Sequence, residues 1–181
     1  VADAVDIDAE IAKIDSHLAS APEKEYMASR GEYLNARIIS AFLGFKFLDA
    51  AECVRFTADG QPQTDTTNEL MAERLRNTDH FVIPGFYGAD ETGRIHTFSR
   101  GGSDITGSLA ARAVDAALYE NWTDVSGMLE SDPRIVDNPK TIDYIDYQEL
   151  RELSYMGASV MHEDAVFPVR KAGISINIRN T

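Results

Sequence analysis

One glycine-rich segment of the sequence is well suited to binding a negatively charged molecule. It consists of Ser99, Arg100, Gly101, Gly102, Ser103 and Asp104. Adjacent glycines let the backbone approach a ligand closely, and the free N–H groups at the start of the predicted helix attract an anion. The guanidinium of Arg100 matches the geometry of a carboxylate or a phosphate. A tight turn capped by Ser103 or Asp104 explains the same residues without a ligand, but the arginine beside the glycine pair favours an anion site.

A second polar segment follows a predicted strand that ends at Trp122. It begins with Thr123 and Asp124 and continues as far as Arg134. A hydroxyl and a carboxylate at the end of a strand can contact the base, the ribose or the metal of a nucleotide, and an arginine can reach a phosphate. Ser-Gly and Asp-Pro pairs are also common in loops, so ordinary turn chemistry explains each residue taken singly.

Glu32 follows Gly31 inside a pattern of helical spacing. Glycine in a helix costs about 1 kcal/mol relative to alanine, which suggests that a ligand or another stretch of backbone comes close at this point. Glu32 would then be an acid that faces a pocket. A solvated glutamate on a helix surface is an equal alternative.

The elements that would position these segments alternate between helix and strand. Helical periodicity is present at 7–18, 33–43, 65–75, 103–118, 147–156 and 163–171, and short apolar runs at 45–48, 81–83, 95–98 and 174–178 predict strands. Strands that are apolar throughout indicate an α/β fold with a mostly parallel sheet covered by helices on both faces, a three-layer αβα sandwich. Ligands bind beyond the carboxyl ends of the strands in such folds, which selects the loops after Ile83, Phe98 and Trp122.

Composition and charge argue against several classes of protein. The 181 residues favour one domain, and 17 Lys and Arg against 30 Asp and Glu give a net charge of −13, which repels a nucleic acid. No apolar run approaches the roughly 18 residues of a membrane span, and the acidic start is unlike a secretory signal. The sequence therefore predicts no membrane or nucleic-acid partner and a cytoplasmic location.

Several familiar site types are also missing from the sequence. Cys53 is the only cysteine, which excludes an internal disulfide and a thiolate metal cluster and predicts a buried side chain. The phosphate-binding loop of NTPases, the Rossmann glycine motif, the hydrolase nucleophile elbow and the His-Glu-x-x-His motif do not occur. The four histidines lack the spacing of metal ligands, so no metal site is predicted.

Five short motifs, in their order along the chain, resemble the kinase domain of aspartate kinases in the amino-acid kinase family. They are Ser-Arg-Gly-Glu at 29–32, Ile-Pro-Gly-Phe-Tyr-Gly at 83–88, Ser-Arg-Gly-Gly-Ser-Asp at 99–104, Trp-Thr-Asp-Val-Ser-Gly at 122–127 and Asp-Pro-Arg-Ile-Val at 132–136. The resemblance covers nearly everything over 29–181, whereas 1–28 is a poorly matched helical lead-in. It implies a partial amino-acid kinase domain over 1–181, with the αβα sandwich of that family incomplete.

The resemblance implies transfer of the γ-phosphoryl group of ATP to the side-chain carboxylate of L-aspartate, the first step of lysine, threonine and methionine synthesis. A carboxylate with a pKa of about 4 is ionised at neutral pH and needs no strong general base. By family match, Glu32 holds the substrate ammonium, Arg100 holds a substrate carboxylate, and Phe86 and the 101–104 loop close around the amino acid. Glu32, Arg100 and Asp104 form the implied catalytic set.

By the same resemblance, the residues that bind the nucleotide are Thr123, Asp124, Arg134 and Ser159. Mg²⁺ is carried mainly by the ATP phosphates. Three departures from the family pattern stand out. No Lys-Phe-Gly-Gly segment is present, Ser159 stands where many relatives have a lysine, and Leu129 stands where many have a tyrosine.

These departures predict a truncated aspartate kinase, without the start of the domain or the regulatory ACT domains, that turns over poorly on its own. The full-length parent is expected to be a homo-oligomer. Two alternatives stay open: another amino-acid kinase with a glutamate-type acceptor, and a non-catalytic module that binds an anion or an amino acid.

Overall fold

The computed structural model describes residues 5–76, 80–124, 127–131, 135–155, 161 and 163–181. The helices are α1 (Ile7–Ser20), α2 (Lys24–Leu43), α3 (Ala50–Cys53), α4 (Thr64–Leu75), α5 (Gly102–Ala113), α6 (Tyr147–Tyr155) and α7 (Glu163–Ala172). The strands are β1 (Lys46–Phe47), β2 (Phe81–Val82), β3 (Tyr87–Ala89), β4 (Ile95–Thr97), β5 (Tyr119–Thr123), β6 (Met128–Leu129), β7 (Thr141–Ile142) and β8 (Ile176–Asn180). The predicted alternation of helix and strand is therefore confirmed.

Local signals explain where the first two helices begin and end. The Asp6 side chain caps α1 by accepting a hydrogen bond from the backbone N–H of Ala9 at 2.9 Å. Gly44 ends α2 with a left-handed φ of 70°, a conformation that glycine adopts without steric cost. The sequence predicted this stop, although α2 begins well before the apolar residues that first indicated it.

Parallel pairing joins strands that lie far apart in the sequence. Lys46 pairs with Phe81 in the parallel pair β1–β2, and Tyr119 pairs with Ile176 in the parallel pair β5–β8. The antiparallel pairs β3–β4 and β6–β7 connect neighbouring segments. Strand β3, the short helix α3 and the β6–β7 pair were not predicted from the sequence, because each is too short to show a period.

The main core lies between α3, α4, α5 and β3. Its fully buried members include Val54, Phe56, Met71, Tyr87 and Leu109. Helix α5 packs against both α4 and α7 and also contacts β5, so its first turn is held on several sides.

Cys53 belongs to this core. Its side chain is fully buried, and burial raises the pKa of the thiol to about 12. A protonated, inaccessible thiol is not a nucleophile, which confirms the prediction of a buried apolar role.

A buried arginine attaches α2 to β3. The guanidinium carbon of Arg30 lies 4.3, 4.8 and 5.2 Å from the ring centroids of Tyr26, Tyr33 and Tyr87. It also donates hydrogen bonds to the Tyr26 carbonyl and to the Ser29 hydroxyl. Stacking of a cation on aromatic faces is strongest where water is excluded, so this contact fixes the helix that carries Glu32.

Among the described residues, no helix combines the length and the apolar character that crossing a membrane requires.

Candidate functional site

An open pocket of about 360 Å³ lies where α2, the loop after β2 and the first turn of α5 meet. It is lined by Glu32, Phe86, Gly101, Gly102, Ser103 and Asp104. The structure therefore brings the acid of α2 together with the glycine-rich turn, which sequence reasoning selected separately, and with Phe86, which the family resemblance implied.

The glycine-rich turn presents unsatisfied backbone donors at the start of α5. Gly101 has a left-handed φ of 60° and no side chain caps the helix. The N–H of Ile105 bonds to the Gly101 carbonyl, so the N–H groups of Gly102, Ser103 and Asp104 lie before the first helical hydrogen bond. These donors and the positive end of the helix dipole attract an anion.

Glu32 supplies the opposite charge on the facing wall. It is exposed on α2, and its side chain forms no ion pair or hydrogen bond with any described residue. A Cβ added to the neighbouring Gly31 would meet nothing within 4 Å. The inference that another backbone segment approaches Gly31 is therefore wrong; the space beside Glu32 is open.

Two glycines allow the loop after β2 to lie against the start of α5. A Cβ on Gly102 would lie 2.8 Å from the Phe86 Cα, and a Cβ on Gly85 would lie 2.8 Å from the Ser103 Cα. The Thr106 hydroxyl accepts a hydrogen bond from the Phe86 N–H at 3.3 Å and donates to the Gly102 carbonyl at 2.9 Å. The two walls of the pocket are thus in direct backbone contact.

Phe86 itself has a φ of 81°. Such a conformation is rare for a residue with a side chain and costs about 1–3 kcal/mol, so it persists only where surrounding contacts enforce it. The close approach of Gly102 and the hydrogen bond to Thr106 supply those contacts. Strained residues of this kind concentrate at ligand-binding sites.

Asp104 is held by two residues of β5 that sequence reasoning missed. The Asn121 amide donates to the Asp104 carboxylate at 2.8 Å and to the Tyr119 hydroxyl at 3.3 Å, and that hydroxyl donates to the Asp104 carbonyl at 3.2 Å. Burial raises the pKa of Tyr119, so the phenol stays protonated and can donate. The sequence signal for these contacts is that Tyr119, Asn121 and Thr123 occupy every second position of a strand and therefore share one face.

Two of the residues predicted to bind the nucleotide, Thr123 and Asp124, lie at the end of β5. Thr123 ends β5 and its hydroxyl donates to the Asp124 carboxylate at 3.2 Å, while the Asn180 amide donates to the Asp124 carbonyl at 3.3 Å. Asn121 and Thr123 are next neighbours on one face, about 7 Å apart, so the strand end adjoins the Asp104 side of the pocket. Arg134 and Ser159 lie outside the described residues.

Arg100 does not line the pocket that contains Glu32. Its side chain is exposed and borders a neighbouring cavity of about 440 Å³, together with Ser99 and Phe98. In the part of the chain that the structure describes, Arg100 forms no hydrogen bond or ion pair. Its role toward a substrate carboxylate stays a prediction.

Asn121 provides a direct test of the connection between β5 and the pocket. Replacing Asn121 with alanine should lower the unfolding free energy by about 1.5 kcal/mol, because a hydrogen bond to a charged acceptor is lost. In a double-mutant cycle with Asp104→Ala, urea denaturation should give a coupling energy of about 1 kcal/mol. Additive effects of the two substitutions would contradict the contact.

Comparison with known proteins identifies the family to which this chain belongs. The model of the amino acid kinase family matches residues 3–180, and the chain belongs to this family. It is 40% identical over 172 residues to aspartokinase 3 of Bacillus subtilis, covering 90% of this chain and 38% of that protein. The chain thus spans well under half the length of this relative.

Solved structures show the same similarity in three dimensions. Aspartate kinase from Clostridium acetobutylicum matches with a TM-score of 0.91 and 51% identity over 97% of this chain and 40% of its own. E. coli aspartokinase III in complex with aspartate and ADP matches with a TM-score of 0.81 and 28% identity over 96% of this chain and 44% of its own. The α/β sandwich class predicted from the sequence is confirmed.

Proposed function

We propose that this chain is the catalytic part of an aspartate kinase, which transfers the γ-phosphoryl group of ATP to the side-chain carboxylate of L-aspartate. The observation that carries the proposal is the pocket that places Glu32, a carboxylate without a partner among the described residues, opposite the N–H groups at the start of α5. This pairing of a negative and a positive wall suits a small molecule that carries both an ammonium group and carboxylates.

The proposed reaction requires positioning more than proton transfer. The accepting carboxylate of L-aspartate is ionised at neutral pH, so it can attack phosphorus without a base. Glu32 would receive the substrate ammonium, and the N–H groups of Gly102 and Ser103 would receive an anionic group. Orientation of the two reactants and neutralisation of charge are the main sources of rate in phosphoryl transfer.

ATP supplies the phosphoryl group, and the residues at the end of β5 suit its binding. Thr123 offers a hydroxyl and Asp124 an exposed carboxylate, which match the polar groups of a ribose or a base. The described residues contain no cluster of three His, Cys, Asp or Glu side chains able to hold a metal ion. In this proposal Mg²⁺ enters with the ATP phosphates, as the family resemblance implies and as is usual in kinases.

Similar proteins support the proposal. The relative from B. subtilis is an aspartokinase, and the E. coli structure is a complex with aspartate and ADP. The proposal extends to a role in lysine, threonine and methionine synthesis and to a cytoplasmic location.

The proposal is tested by an ADP-release assay on the full-length natural protein that carries this sequence. With ATP and Mg²⁺, L-aspartate should raise ADP release steeply, and hydroxylamine should trap the acyl phosphate product. L-glutamate at the same concentration is the control acceptor. A rate that responds to glutamate alone would assign a different kinase of the family, and calorimetric binding of L-aspartate without ADP release would assign a binding module.

A further inference from the structure

His96, in β4, has a carboxylate beside each of its two ring nitrogens. Its Nε2 lies 3.1 Å from an Asp90 carboxylate oxygen, and its Nδ1 lies 3.6 Å from a Glu25 carboxylate oxygen. The residue is 5% exposed, and its ring stacks on Phe56 with the centroids 5.7 Å apart. A Cβ on Gly60 would lie 3.3 Å from Nδ1. The ring is therefore confined to one place between α2 and the β3–β4 pair.

Each carboxylate that faces His96 also fixes a different element. One Asp90 oxygen accepts hydrogen bonds from the Thr92 N–H and hydroxyl and from the Arg94 N–H, which closes the turn between β3 and β4. One Glu25 oxygen accepts from the Thr97 N–H at 3.1 Å and from the Thr97 hydroxyl at 3.3 Å, which joins α2 to the end of β4. His96 bridges the two carboxylates and so connects these attachments.

The bridge lies behind both walls of the pocket. Glu25 precedes Glu32 by two helical turns on the same side of α2, a distance of about 10 Å. Thr97 leads directly into the turn at 99–104. The Glu25–Thr97 contact therefore joins the helix that carries Glu32 to the strand that leads into the turn with the free N–H groups.

We propose that His96 is a positioning residue that, through Glu25 and Asp90, sets the separation between Glu32 and the 101–104 turn. Its effect on catalysis rests on the function proposed above, whereas its effect on the geometry of the free protein does not.

The contacts of the two ring nitrogens differ in kind. A neutral imidazole has one N–H, which at Nε2 bonds to Asp90, so a second proton on Nδ1 adds an ion pair with Glu25. The charged groups that face the ring are Glu25 from α2, Asp90 from the β3–β4 turn and Asp59 from the turn before α4. Arg94, on the same turn as Asp90, faces Glu23 of the adjoining segment at 3.8 Å. The two carboxylates that lie against the ring nitrogens therefore come from different elements, and His96 joins them.

The test compares His96→Gln with the wild type in the full-length natural protein. Glutamine can still donate to Asp90 but cannot carry a charge. The KM for L-aspartate should rise roughly tenfold with kcat little changed, because a single contact with a charged group is lost. His80→Gln, at an exposed histidine, is the matched control and should behave as the wild type.

A second variant keeps the test decisive if His96→Gln does not fold. Glu25→Gln retains an oxygen for Thr97 but loses the ion pair, and Glu25 is partly exposed, so folding should persist. A raised KM for L-aspartate with kcat little changed in this variant supports the inference, and a KM equal to that of the wild type overturns it.

Hydrogen exchange separates the inference from the proposed function. Exchange of the Thr97 amide should accelerate in His96→Gln without any ligand, since that N–H bonds to Glu25. Faster exchange together with a wild type that releases no ADP would support the bridge and overturn the proposed function. Unchanged exchange and an unchanged KM in an active kinase would overturn the bridge and leave the function in place.

Discussion

Replacing Gly102 with alanine should lower the unfolding free energy by about 3 kcal/mol and abolish binding of L-aspartate, because the new methyl group has no space. It would lie 2.8 Å from the Cα of Phe86 and 2.9 Å from the Cβ of Phe98. Neither atom is the far end of a flexible side chain. Relief therefore requires movement of the backbone at Phe86 or at the first turn of α5, and both line the pocket.

The matched control is Gly31→Ala. Gly31 also lies in a helix near the pocket, but a Cβ there meets nothing within 4 Å. Alanine in a helix interior is favoured over glycine by about 1 kcal/mol, so this variant should be more stable than the wild type. Urea denaturation measures the change in unfolding free energy of each variant, provided that the m-value stays constant. Equal changes in the two variants would contradict the packing between Gly102 and Phe86.

Local sequence signals were sufficient to predict two parts of the pocket. A glycine pair before a helical pattern and an acid on an amphipathic helix are each visible within a few neighbouring positions, whereas Phe86 was implied only by the resemblance to the kinase family. Gly102, Glu32 and Phe86 meet in the structure because the elements that carry them have the predicted type. The helix predicted over 103–118 ends earlier, at Ala113, since its later residues form the connection to β5.

Residues whose environment depends on distant contacts could not be predicted in this way. Arg30 has the sequence character of a surface residue, yet three tyrosine rings bury it. His96 has no metal-ligand spacing in the sequence, and its two carboxylate neighbours come from α2 and from the turn after β3. Asn121 touches Asp104 only because β5 lies beside α5. Each contact is created by the fold and has no pattern in the nearby sequence.

Arg100 differs from these residues because its sequence signal was clear and its contacts in the free protein are few. Arg100 immediately precedes Gly101 and lines the cavity next to the pocket. Its side chain lines that cavity and not the pocket formed by the start of α5. An exposed side chain without a partner can turn toward a ligand at little energetic cost, since no contact has to be broken.

Replacing Arg100 with alanine should therefore weaken L-aspartate binding strongly while leaving the stability of the free protein unchanged. A bidentate guanidinium–carboxylate contact contributes about 1.5–3 kcal/mol, which corresponds to an affinity loss of roughly 10- to 100-fold. The unfolding free energy should change by less than about 0.5 kcal/mol, as for other exposed residues without contacts. Calorimetric titration with L-aspartate and urea denaturation of the full-length natural protein measure the two quantities.

Two further variants separate a specific contact from a general effect of charge. Arg100→Lys keeps the charge but loses the fork geometry, so it should recover only part of the affinity. Arg74→Ala removes an exposed arginine that pairs with Glu52 at 2.9 Å, remote from the lining residues, and should leave L-aspartate binding at the wild-type level. If Arg100→Ala binds L-aspartate as the wild type does, the backbone donors of α5 hold the carboxylate without the guanidinium, and the anion site is formed by the glycine turn alone.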